Sequence, residues 1–509
     1  MQNKDVAEML DRAARILALR GENRYRIRAY QRAAQAVAAS PESIVELVQE
    51  NRLQSIDGVG KALAAKIKEI VKTGKLALLE RMEGETPPVQ VNEQILLAWA
   101  LTFCQDFIPE LKKLNGVEKV TVTGEMRRRQ ETVSEISLLL VTKDLAQTKK
   151  AISQHPQLHR QKWEDNTCRT VHSFGVKLRL DLVSAGDYVR QLWLTTGATE
   201  HVKKVARLVK ENTGLDIWQA SPYVFAGEAD IYKLAGLPFI EPELRENRGE
   251  IAAAQKGELP LLLRAEDYKG DLHVHTNWSD GTASIEKMVE MAVEMGYEYV
   301  AITDHSQSLK VARGLSLQRL AEQRAYIDKL QTKYNLRILC GIEADILDDG
   351  SIDAPDEILA QLDVVVASVH SGFRQSREKL TARICKAMQN PYVQILGHPT
   401  GRLLGQRDPY EVDIDEILRV AKATGTILEI NSSPDRLDLT DKIVLQAKKA
   451  SIKIAINTDA HSQLELANIT LGLAVARRGW LTADDVINTR NANEILSCLQ
   501  KKKTRLLSQ

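Results

Sequence analysis

The chain of 509 residues is too long for one ordinary domain, and its length predicts about two to four domains. Its 69 Lys and Arg residues nearly balance its 68 Asp and Glu residues, which excludes a uniformly basic nucleic-acid-binding protein but allows a local basic patch. The charged N-terminus, apolar runs far shorter than about 20 residues, and five cysteines without a pairing motif predict a cytoplasmic protein with reduced thiols and no membrane anchor.

Residues 1–83 are predicted to form a small helical domain, because their helical periodicity is broken only at Ser40-Pro41 and at a glycine turn. The segment is locally basic, with 15 Lys and Arg residues against 10 Asp and Glu residues up to Arg81. The stretch SIDGVGKALAAKI from Ser55 has the glycine spacing of a helix-hairpin-helix, in which backbone amides at a helix N-terminus face a DNA phosphate. A plain helical hairpin is the alternative, but the surrounding cations favour DNA binding. The residues predicted to contact DNA are Gly58, Gly60, Lys61, Lys66, Arg24 and Arg28.

The middle of the chain changes from helical to alternating periodicity. A proline-rich linker, GETPPVQ from Gly84, and a helix from about Asn92 to Leu114 precede the runs VEKVTVTG, EISLLLVT and VKLRLDLV. Alternating β-branched runs of this kind are typical of half-buried strands. We therefore predict an α+β domain over residues 84–211 and a less regular connector over residues 212–265.

Residues 266–505 alternate short apolar runs with stretches of helical periodicity. The seven runs are LHVHT, YVAITDH, LRILCGIEAD, VVVASVH, VQILGH, TILEIN and IKIAINTDAH. Repeated strand and helix units predict a parallel (β/α) barrel, and seven units make it one short of the common eight. The predicted fold class is therefore multidomain, with α+β domains in the front half and an α/β barrel in the back half.

Candidate metal ligands follow these apolar runs. In a parallel barrel the C-terminal ends of the strands converge on one rim, so residues distant in sequence can meet there. Imidazole and carboxylate donors without thiolate suit Mn, Zn or Fe. Histidines that merely cap strands are the alternative, but six on one predicted rim, with carboxylates among them, favour a metal site. The nine candidates are His273, His275, Asp280, His305, Glu343, His370, His398, Asp459 and His461.

The motifs HVHTNWSDG, ITDH, GIEAD, SVH, GHP and NTDAH resemble the motif set of the polymerase and histidinol phosphatase (PHP) domain, over roughly residues 268–500. The resemblance implies a distorted (β/α)7 barrel that holds three divalent ions and hydrolyses phosphoesters. It places one ion among His273, His275, Glu343 and Asp459, a second among Glu343, His370 and His398, and a third among Asp280, His305 and His461. Of these ligands, we expect Glu343, Asp459 and His370 to be catalytic.

Two arginines lie close to the predicted rim. Arg313 in KVARG and Arg402, four residues past His398, are candidate contacts for a substrate phosphate, because a guanidinium can pair with two phosphate oxygens. A solvated surface arginine is the alternative for each.

The front half resembles the family X DNA polymerases. The resemblance rests on the helix-hairpin-helix stretch, on TGEMRRRQETVSEISLLL in the palm, on LTTGATEHV and on GLPFIEPELRENRGE near the end of the thumb. With the PHP motifs, this order is similar to that of the bacterial family X polymerases with a C-terminal PHP exonuclease.

The palm of this sequence departs from the family pattern. Where the family has a glycine-serine turn, the sequence has Gly124-Glu125, and Glu135 and Ser137 replace an aspartate pair. Arg179 stands at the third carboxylate position, and the fingers segment is largely missing. Nucleotidyl transfer needs a carboxylate cage for Mg ions, so we expect the polymerase core to be inactive. If the alignment is shifted by two residues, Asp181 stands at the third position in place of Arg179 and restores one carboxylate ligand.

We therefore expect a metal-dependent DNA phosphodiesterase, a 3′ to 5′ exonuclease or 3′-end-processing enzyme of DNA repair. The resemblance implies Mn as the activating ion, with Zn or Fe as alternatives among the three divalent metal ions. The expected partner is DNA, especially gapped DNA and 3′ ends, bound by a monomer. An active gap-filling polymerase and a small-molecule phosphatase similar to histidinol phosphatase are the two alternatives.

Overall fold

The computed structural model describes residues 1–19, 24–56, 58–79, 94–219 and 224–507. The chain divides into two compact units. The first comprises Met1–Ile95, Trp99–Thr123 and Ser134–Tyr188, and the second comprises Leu96–Ala98, Gly124–Val133 and Val189–Gln509. The predicted proline-rich linker from Gly84 lies outside the described residues.

A helical domain opens the first unit. Its helices are α1 (Asn3–Leu19), α2 (Arg24–Ala39), α3 (Ile44–Gln49) and α4 (Lys61–Thr73). Apolar residues at helical spacing, among them Leu10, Leu47 and Ile67, are buried and pack into one core. The side chain of Asn3 accepts a hydrogen bond from the backbone N–H of Ile44 at 2.8 Å, which joins the start of α1 to the start of α3.

A five-stranded sheet completes the first unit, with strand order β2-β4-β7-β6-β5. The elements between residues 95 and 183 are β1 (Ile95–Leu96), α5 (Leu97–Lys112), β2 (Val117–Val122), α6 (Gly124–Arg127), β3 (Thr132–Val133), β4 (Ile136–Thr142), α7 (Leu145–Ser153), β5 (Leu158–Glu164), β6 (Thr167–His172) and β7 (Lys177–Val183). Of these, α6 and β3 belong to the second unit. Strand β4 runs parallel to β7, and the other pairs are antiparallel. Helices α5 and α7 contact one face: His172 of β6 packs edge-on against Phe103 and Phe107 of α5, and the side chain of Gln161 in β5 donates to the carbonyl of Ile152.

The connector between sheet and barrel is helical and belongs to the second unit. It contains α8 (Tyr188–Thr196), α9 (Thr199–Thr213), α10 (Glu228–Leu234) and α11 (Glu250–Lys256). Two buried carboxylates organise it. Glu228 accepts hydrogen bonds from Arg127 at 2.9 Å and from Arg245 at 2.5 Å, and Glu250 pairs with Nδ1 of His201 at 2.6 Å.

The seven predicted strands all form and make a parallel sheet in the order β14-β13-β12-β11-β10-β9-β8. The strands are β8 (Gly270–Val274), β9 (Tyr299–Ile302), β10 (Arg337–Asp345), β11 (Val364–Ser368), β12 (Ile395–Leu396), β13 (Ile427–Asn431) and β14 (Ile454–Asn457). The helices are α12 (Ile285–Glu294), α13 (Leu317–Gln331), α14 (Asp356–Leu359), α15 (Arg377–Gln389), α16 (Ile414–Thr424), α17 (Asp441–Lys449), α18 (Ile469–Arg478) and α19 (Ala492–Leu507). The predicted fold class, a multidomain protein with a (β/α)7 barrel, is confirmed.

The first and last strands of the barrel approach each other. The backbone N–H of His275 donates to the carbonyl of Ala460 at 2.8 Å, and that of Asp459 donates to the carbonyl of His273 at 3.0 Å. The barrel is therefore nearly closed, and the C-terminal ends of its strands surround one rim. No helix in the described ranges is both long and apolar enough to span a membrane.

Candidate metal centre

The first barrel strand brings two imidazoles to the rim. His273 lies in β8 and His275 just after it, and their side chains share one side because alternate residues of an extended chain do so. Both side chains are fully buried, and their ring centroids are 5.1 Å apart. Imidazole nitrogens held this close are suited to a shared metal site.

Glu343 lies at the centre of the cluster. It sits in β10, where residues 338–345 are all buried, and its side chain is 1% exposed. Five imidazoles come within 3.5 Å of its carboxylate oxygens. The distances are 2.8 Å to His305 Nδ1, 3.0 Å to His398 Nε2, 3.3 Å to His370 Nε2, 3.4 Å to His273 Nε2 and 3.5 Å to His275 Nε2.

Two aspartates complete the predicted set. Asp459 Oδ1 lies 3.0 Å from His275 Nε2 and 3.7 Å from His273 Nε2. Asp280 Oδ1 lies 3.3 Å from His461 Nε2 and 3.5 Å from His305 Nε2. The structure thus brings all nine predicted side chains together at one end of the barrel.

The donor atoms form three overlapping groups, in each of which the donor atoms lie within 4.8 Å of one another. The groups are His273, His275, Glu343 and Asp459; His305, Glu343 and His370; and His275, Asp280, His305 and His461. The first equals one implied ligand set, and the third contains another with His275 added. His398 falls outside these groups and contacts Glu343 directly.

Several buried donor atoms in this cluster make no hydrogen bond within the described part of the chain. They are His273 Nε2, both ring nitrogens of His275, His305 Nδ1, His398 Nδ1 and Glu343 Oε2. Buried polar atoms are normally satisfied, so a group of atoms facing one another without hydrogen-bond geometry calls for another partner. Imidazole nitrogens and carboxylate oxygens together are the ligands of divalent cations such as Mn and Zn. The residues present therefore fit divalent metal ions.

The electrostatics of the cluster are strongly coupled. Burial alone would raise the pKa of Glu343, but the imidazoles of His370, His273 and His305 outweigh it and hold that pKa well below its ordinary value. Burial lowers the pKa of His275 to about 4, so this imidazole is neutral and able to donate a lone pair.

A second layer of polar groups, which the sequence analysis did not identify, orients the candidate ligands. Glu429 is fully buried in β13 and accepts hydrogen bonds from His273 Nδ1 at 2.8 Å and from the backbone N–H of His398 at 2.7 Å. Asn457 donates to the same carboxylate at 2.8 Å. Asn431 donates to Asp459 at 3.0 Å. Outer partners of this kind fix ring orientation and tautomer in metal sites. The sequence did contain a signal for Glu429, because this charged residue stands between buried apolar residues in the run TILEIN.

The backbone is unusual at two candidate ligands. His398 has φ 27° and Asp459 has φ 54°, a region that non-glycine residues rarely adopt. Gly397 is required before His398, because a Cβ there would lie 2.4 Å from the hydroxyl of Ser368. Backbone held this way next to a ligand cluster is typical of functional sites.

The two arginines predicted to contact phosphate lie in different surroundings. Arg402 is 5% exposed, and its Nη1 and Nη2 atoms lie 3.0 Å and 2.6 Å from the two carboxylate oxygens of Glu131, so its guanidinium already has an anionic partner within the protein. Arg313 is exposed. Arg436, which was not predicted, has its Nε 3.7 Å from Asp459 Oδ2, and its buried Nη1 makes no hydrogen bond among the described residues.

The predicted DNA contacts of the helix-hairpin-helix lie around the start of α4. Gly58 has φ 77°, which a side chain would strain, whereas a Cβ on Gly60 would meet nothing within 4 Å. Lys61 is exposed, and Lys66 pairs with Glu69 at 3.1 Å. The predicted contacts Arg24 and Arg28 belong to α2, but their side chains lie outside the described part of the structure.

The four altered palm positions are spread over different elements. Glu125 is in α6, and Glu135 precedes β4. Ser137 of β4 is directly opposite Arg179 of β7. Arg179 Nε donates to Asp181 at 2.9 Å, and the hydroxyl of Thr167 donates to the same carboxylate at 2.6 Å.

Two family models match the chain where the structure has its helical domain and its barrel. Residues 1–76 match the helix-hairpin-helix domain, and residues 271–433 match the PHP domain. The fold and the ligand cluster thus define a multidomain protein that combines a helix-hairpin-helix domain with a PHP barrel.

Comparison with whole proteins is more specific. The chain is 31% identical, over 98% of its own length and 100% of the relative's, to the DNA polymerase/3′-5′ exonuclease PolX of Bacillus subtilis (strain 168). It is 32% identical to a probable phosphatase of Thermoanaerobacter sp. (strain X514), over 46% of this chain and 96% of that protein. The chain belongs to the bacterial PolX family, as predicted. The match to PolX extends over 573 residues, more than the 509 of this chain, so PolX has segments that this chain lacks.

Proposed function

We propose that the protein is a metal-dependent DNA phosphodiesterase that acts as a 3′ to 5′ exonuclease or 3′-end-processing enzyme in DNA repair. The observation that carries the proposal is the convergence of nine imidazole and carboxylate side chains, Glu343 among them, at one end of the barrel. Membership of the PolX family and the helix-hairpin-helix domain support DNA as the substrate class.

Three divalent ions, most simply Mn, are assigned to the cluster. His273, His275, Glu343 and Asp459 would hold the first, Glu343, His370 and His398 the second, and Asp280, His305 and His461 the third. Divalent ions bound there lower the pKa of water toward neutrality and neutralise phosphate oxygens. Zn and Fe are the alternative metals.

The residues of the chain itself orient the substrate. Nη1 of Arg436 has no hydrogen-bond partner in the part of the chain that the structure describes and lies near Asp459, which makes Arg436 a better candidate for a phosphate contact than Arg402. The amides at the start of α4, exposed by Gly60, would hold a backbone phosphate of DNA without reading its sequence.

We propose that the palm no longer polymerises. Ser137 and Arg179 are opposite each other in the sheet, and the carboxylate of Asp181 is engaged by Arg179 and Thr167. Glu135 is then the one acidic residue left at the three family positions, and a single carboxylate cannot supply the cage that nucleotidyl transfer requires.

The test is digestion of a 3′-labelled oligonucleotide in the presence of Mn. We expect the wild type to release mononucleotides. In Glu343→Ala the rate of digestion should fall by more than the roughly 10–100-fold that is typical when an outer partner of a metal ligand is changed. Glu294→Ala removes an exposed carboxylate from α12 and is the matched control, with expected wild-type activity. Unchanged digestion by Glu343→Ala would exclude the barrel from the reaction.

The name of the Bacillus relative favours a second candidate, an active gap-filling polymerase. Primer extension on a gapped template with deoxynucleotides and Mn distinguishes the two. We expect no templated extension. Robust extension that Glu135→Ala abolishes would establish the second candidate and overturn the assignment of an inactive palm.

The probable phosphatases that match only the barrel favour a third candidate, hydrolysis of a small phosphate ester. Competition distinguishes it from the first. We expect excess unlabelled DNA to inhibit hydrolysis of a small ester, because both would bind the same centre as substrates. Histidinol phosphate at comparable concentration should not inhibit DNA digestion.

A further inference from the structure

Two exposed apolar residues follow ligands of the same candidate ion. In the described part of the barrel, the two most exposed large apolar residues are Val311 and Leu464, with exposed fractions of 82% and 58%. Val311 lies in the loop that follows His305, and Leu464 lies in the loop that follows His461. Single exposed apolar residues are common on protein surfaces. Here, however, the two most exposed ones both lie beside the group of Asp280, His305 and His461, so they form part of the surroundings of that group.

The loop after β8, which supplies one ligand of this ion, contacts both of the loops that carry the apolar residues. On one side, the backbone N–H of Thr282 donates to the carbonyl of His461 at 2.7 Å. On the other side, Nη1 of Arg319 donates to the carbonyl of Arg313 at 3.1 Å, and its Nη2 donates to the carbonyl of Trp278. The three loops therefore form one continuous stretch of the barrel rim.

The loop that carries Val311 is fastened on both sides of this residue. Before it, the hydroxyl of Ser308 donates to Asp345 at 2.6 Å, and the backbone N–H of Ser308 donates to Asp353 at 2.6 Å. After it, the backbone N–H of Leu315 donates to the carbonyl of His305 at 2.8 Å. The loop thus holds Val311 in water, where its side chain forgoes the stabilisation that burial against a ligand would supply.

The charges next to Val311 indicate what kind of ligand would cover it. Lys310 and Arg313 are exposed on either side of it in the chain. An apolar residue between cations is complementary to a nucleotide strand, in which the apolar face of a base lies between phosphates. A phosphate ester without a base would contact the cations and the metal ions but would leave the apolar residues in water.

We propose that Val311 and Leu464 form a nucleobase subsite, which packs against the base of the nucleotide whose phosphate lies at the metal centre. This inference rests on the proposed function, because it takes the substrate to be DNA. Packing against the face of a base does not depend on its hydrogen-bonding edge, so the subsite would accept all four bases.

The test is isothermal titration calorimetry on the Mn-loaded full chain with two ligands. One is thymidine 5′-monophosphate, and the other is 2-deoxyribose 5-phosphate, which has the same sugar and phosphate but no base. We expect the wild type to bind the nucleotide about tenfold more tightly or better. In Val311→Ser with Leu464→Ser, this preference should fall to about twofold or less, while the Kd of 2-deoxyribose 5-phosphate stays unchanged.

The matched control makes the same two changes at exposed positions outside these loops. Val293, which is 48% exposed, and Leu261, which is 83% exposed, are both replaced by serine. Because neither residue follows a candidate ligand, we expect Val293→Ser with Leu261→Ser to keep the preference of the wild type for the nucleotide. Val311→Ser alone tests the inference if the double variant misfolds, and it should lower the preference in the same direction.

Two results would overturn the inference. One is a wild type without preference for the nucleotide, whether it binds both ligands or neither. The other is a preference that survives unchanged in Val311→Ser with Leu464→Ser. Both measurements report binding, so they decide the inference even if the wild type cleaves no phosphodiester. In that case the proposed function alone fails.

Discussion

At the scale of single residues, Glu429 determines how the candidate centre is held. It accepts hydrogen bonds from His273, from the backbone of His398 and from Asn457, yet it belongs to none of the three ligand groups. A buried carboxylate with this many donors fixes the tautomer of His273, so that its other nitrogen faces Glu343 and Asp459.

Replacement of Glu429 tests this role. Glu429→Gln keeps the shape of the side chain but removes the charge that His273 faces, so we expect metal affinity to fall about 10–100-fold. The measurement is the Mn concentration that gives half-maximal hydrolysis of a small phosphodiester. Glu357→Gln, an exposed change on α14, is the control. An unchanged Mn midpoint in Glu429→Gln would contradict the assignment.

His172 in the core of the first unit gives a prediction about pH. Burial lowers its pKa to about 3, whereas an unfolded histidine takes up a proton near pH 6.5. The stability due to neutral His172 is therefore complete above pH 6.5 and is lost as pH falls towards 3. By pH 5 the loss should reach about 2 kcal/mol.

Thermal unfolding at pH 7.5 and pH 5 measures this effect. His172→Gln cannot titrate, so we expect a smaller drop in Tm between the two pH values than in the wild type. His159→Gln removes an exposed histidine of β5 that only contributes to the lowered pKa of His172, and it should change the pH dependence less than His172→Gln does. The same drop in all three proteins would show that His172 is not the responsible group.

At the scale of elements, the start of α4 is the part of the helical domain for which a DNA contact is proposed. Gly60 precedes a helix of 13 residues, and a side chain there would contact no other part of the described protein. The glycine is therefore not required by packing, in contrast to Gly58, whose positive φ the turn requires.

Gly60→Thr separates folding from binding. Threonine and glycine are about equally favourable at the N-cap of a helix, so the Tm should be unchanged. Its side chain would obstruct an approaching phosphate, and we expect the loss of about 1 kcal/mol of binding, roughly fivefold in Kd for duplex DNA. Gly74→Asn, at the opposite end of α4 and with φ 70°, is the control. Unchanged DNA affinity in Gly60→Thr would remove this helix start from the interface.

The barrel elements could be predicted from sequence because each strand is a continuous apolar run that ends in a polar motif. The strand ends also predicted which nine side chains meet, since topology alone brings strand ends to one rim. The roles of Glu429, Asn457 and Arg436 could not be predicted this way, because they depend on which side-chain atoms contact the candidate ligands. The pairing of Arg402 with Glu131 could not be predicted for the same reason, because the distance of Arg402 from His398 in sequence does not indicate it.

At the scale of the whole molecule, the candidate centre lies entirely in the second unit, and the helix-hairpin-helix lies entirely in the first. The proposed hydrolysis and the proposed DNA binding thus belong to different parts of one chain. This division predicts that the two activities respond differently to ionic strength.

Digestion of DNA should decline steeply between 50 and 200 mM NaCl, because each phosphate contact contributes a salt dependence of about 0.9 in log K for duplex DNA. Hydrolysis of bis(p-nitrophenyl) phosphate, which needs only the barrel, should change little over the same range. Steady-state kcat/KM for the two substrates provides the measurement. Parallel declines would mean that salt acts on the metal centre rather than on DNA holding.

The near-closure of the barrel between β8 and β14 has a consequence for biosynthesis. His273 and Asp459 are joined by a backbone hydrogen bond although 185 residues separate them along the chain, so this part of the centre requires both ends of the barrel sequence. A nascent chain still lacking its last strand cannot assemble it. The proposed hydrolytic activity would then arise only after β14 has been synthesised.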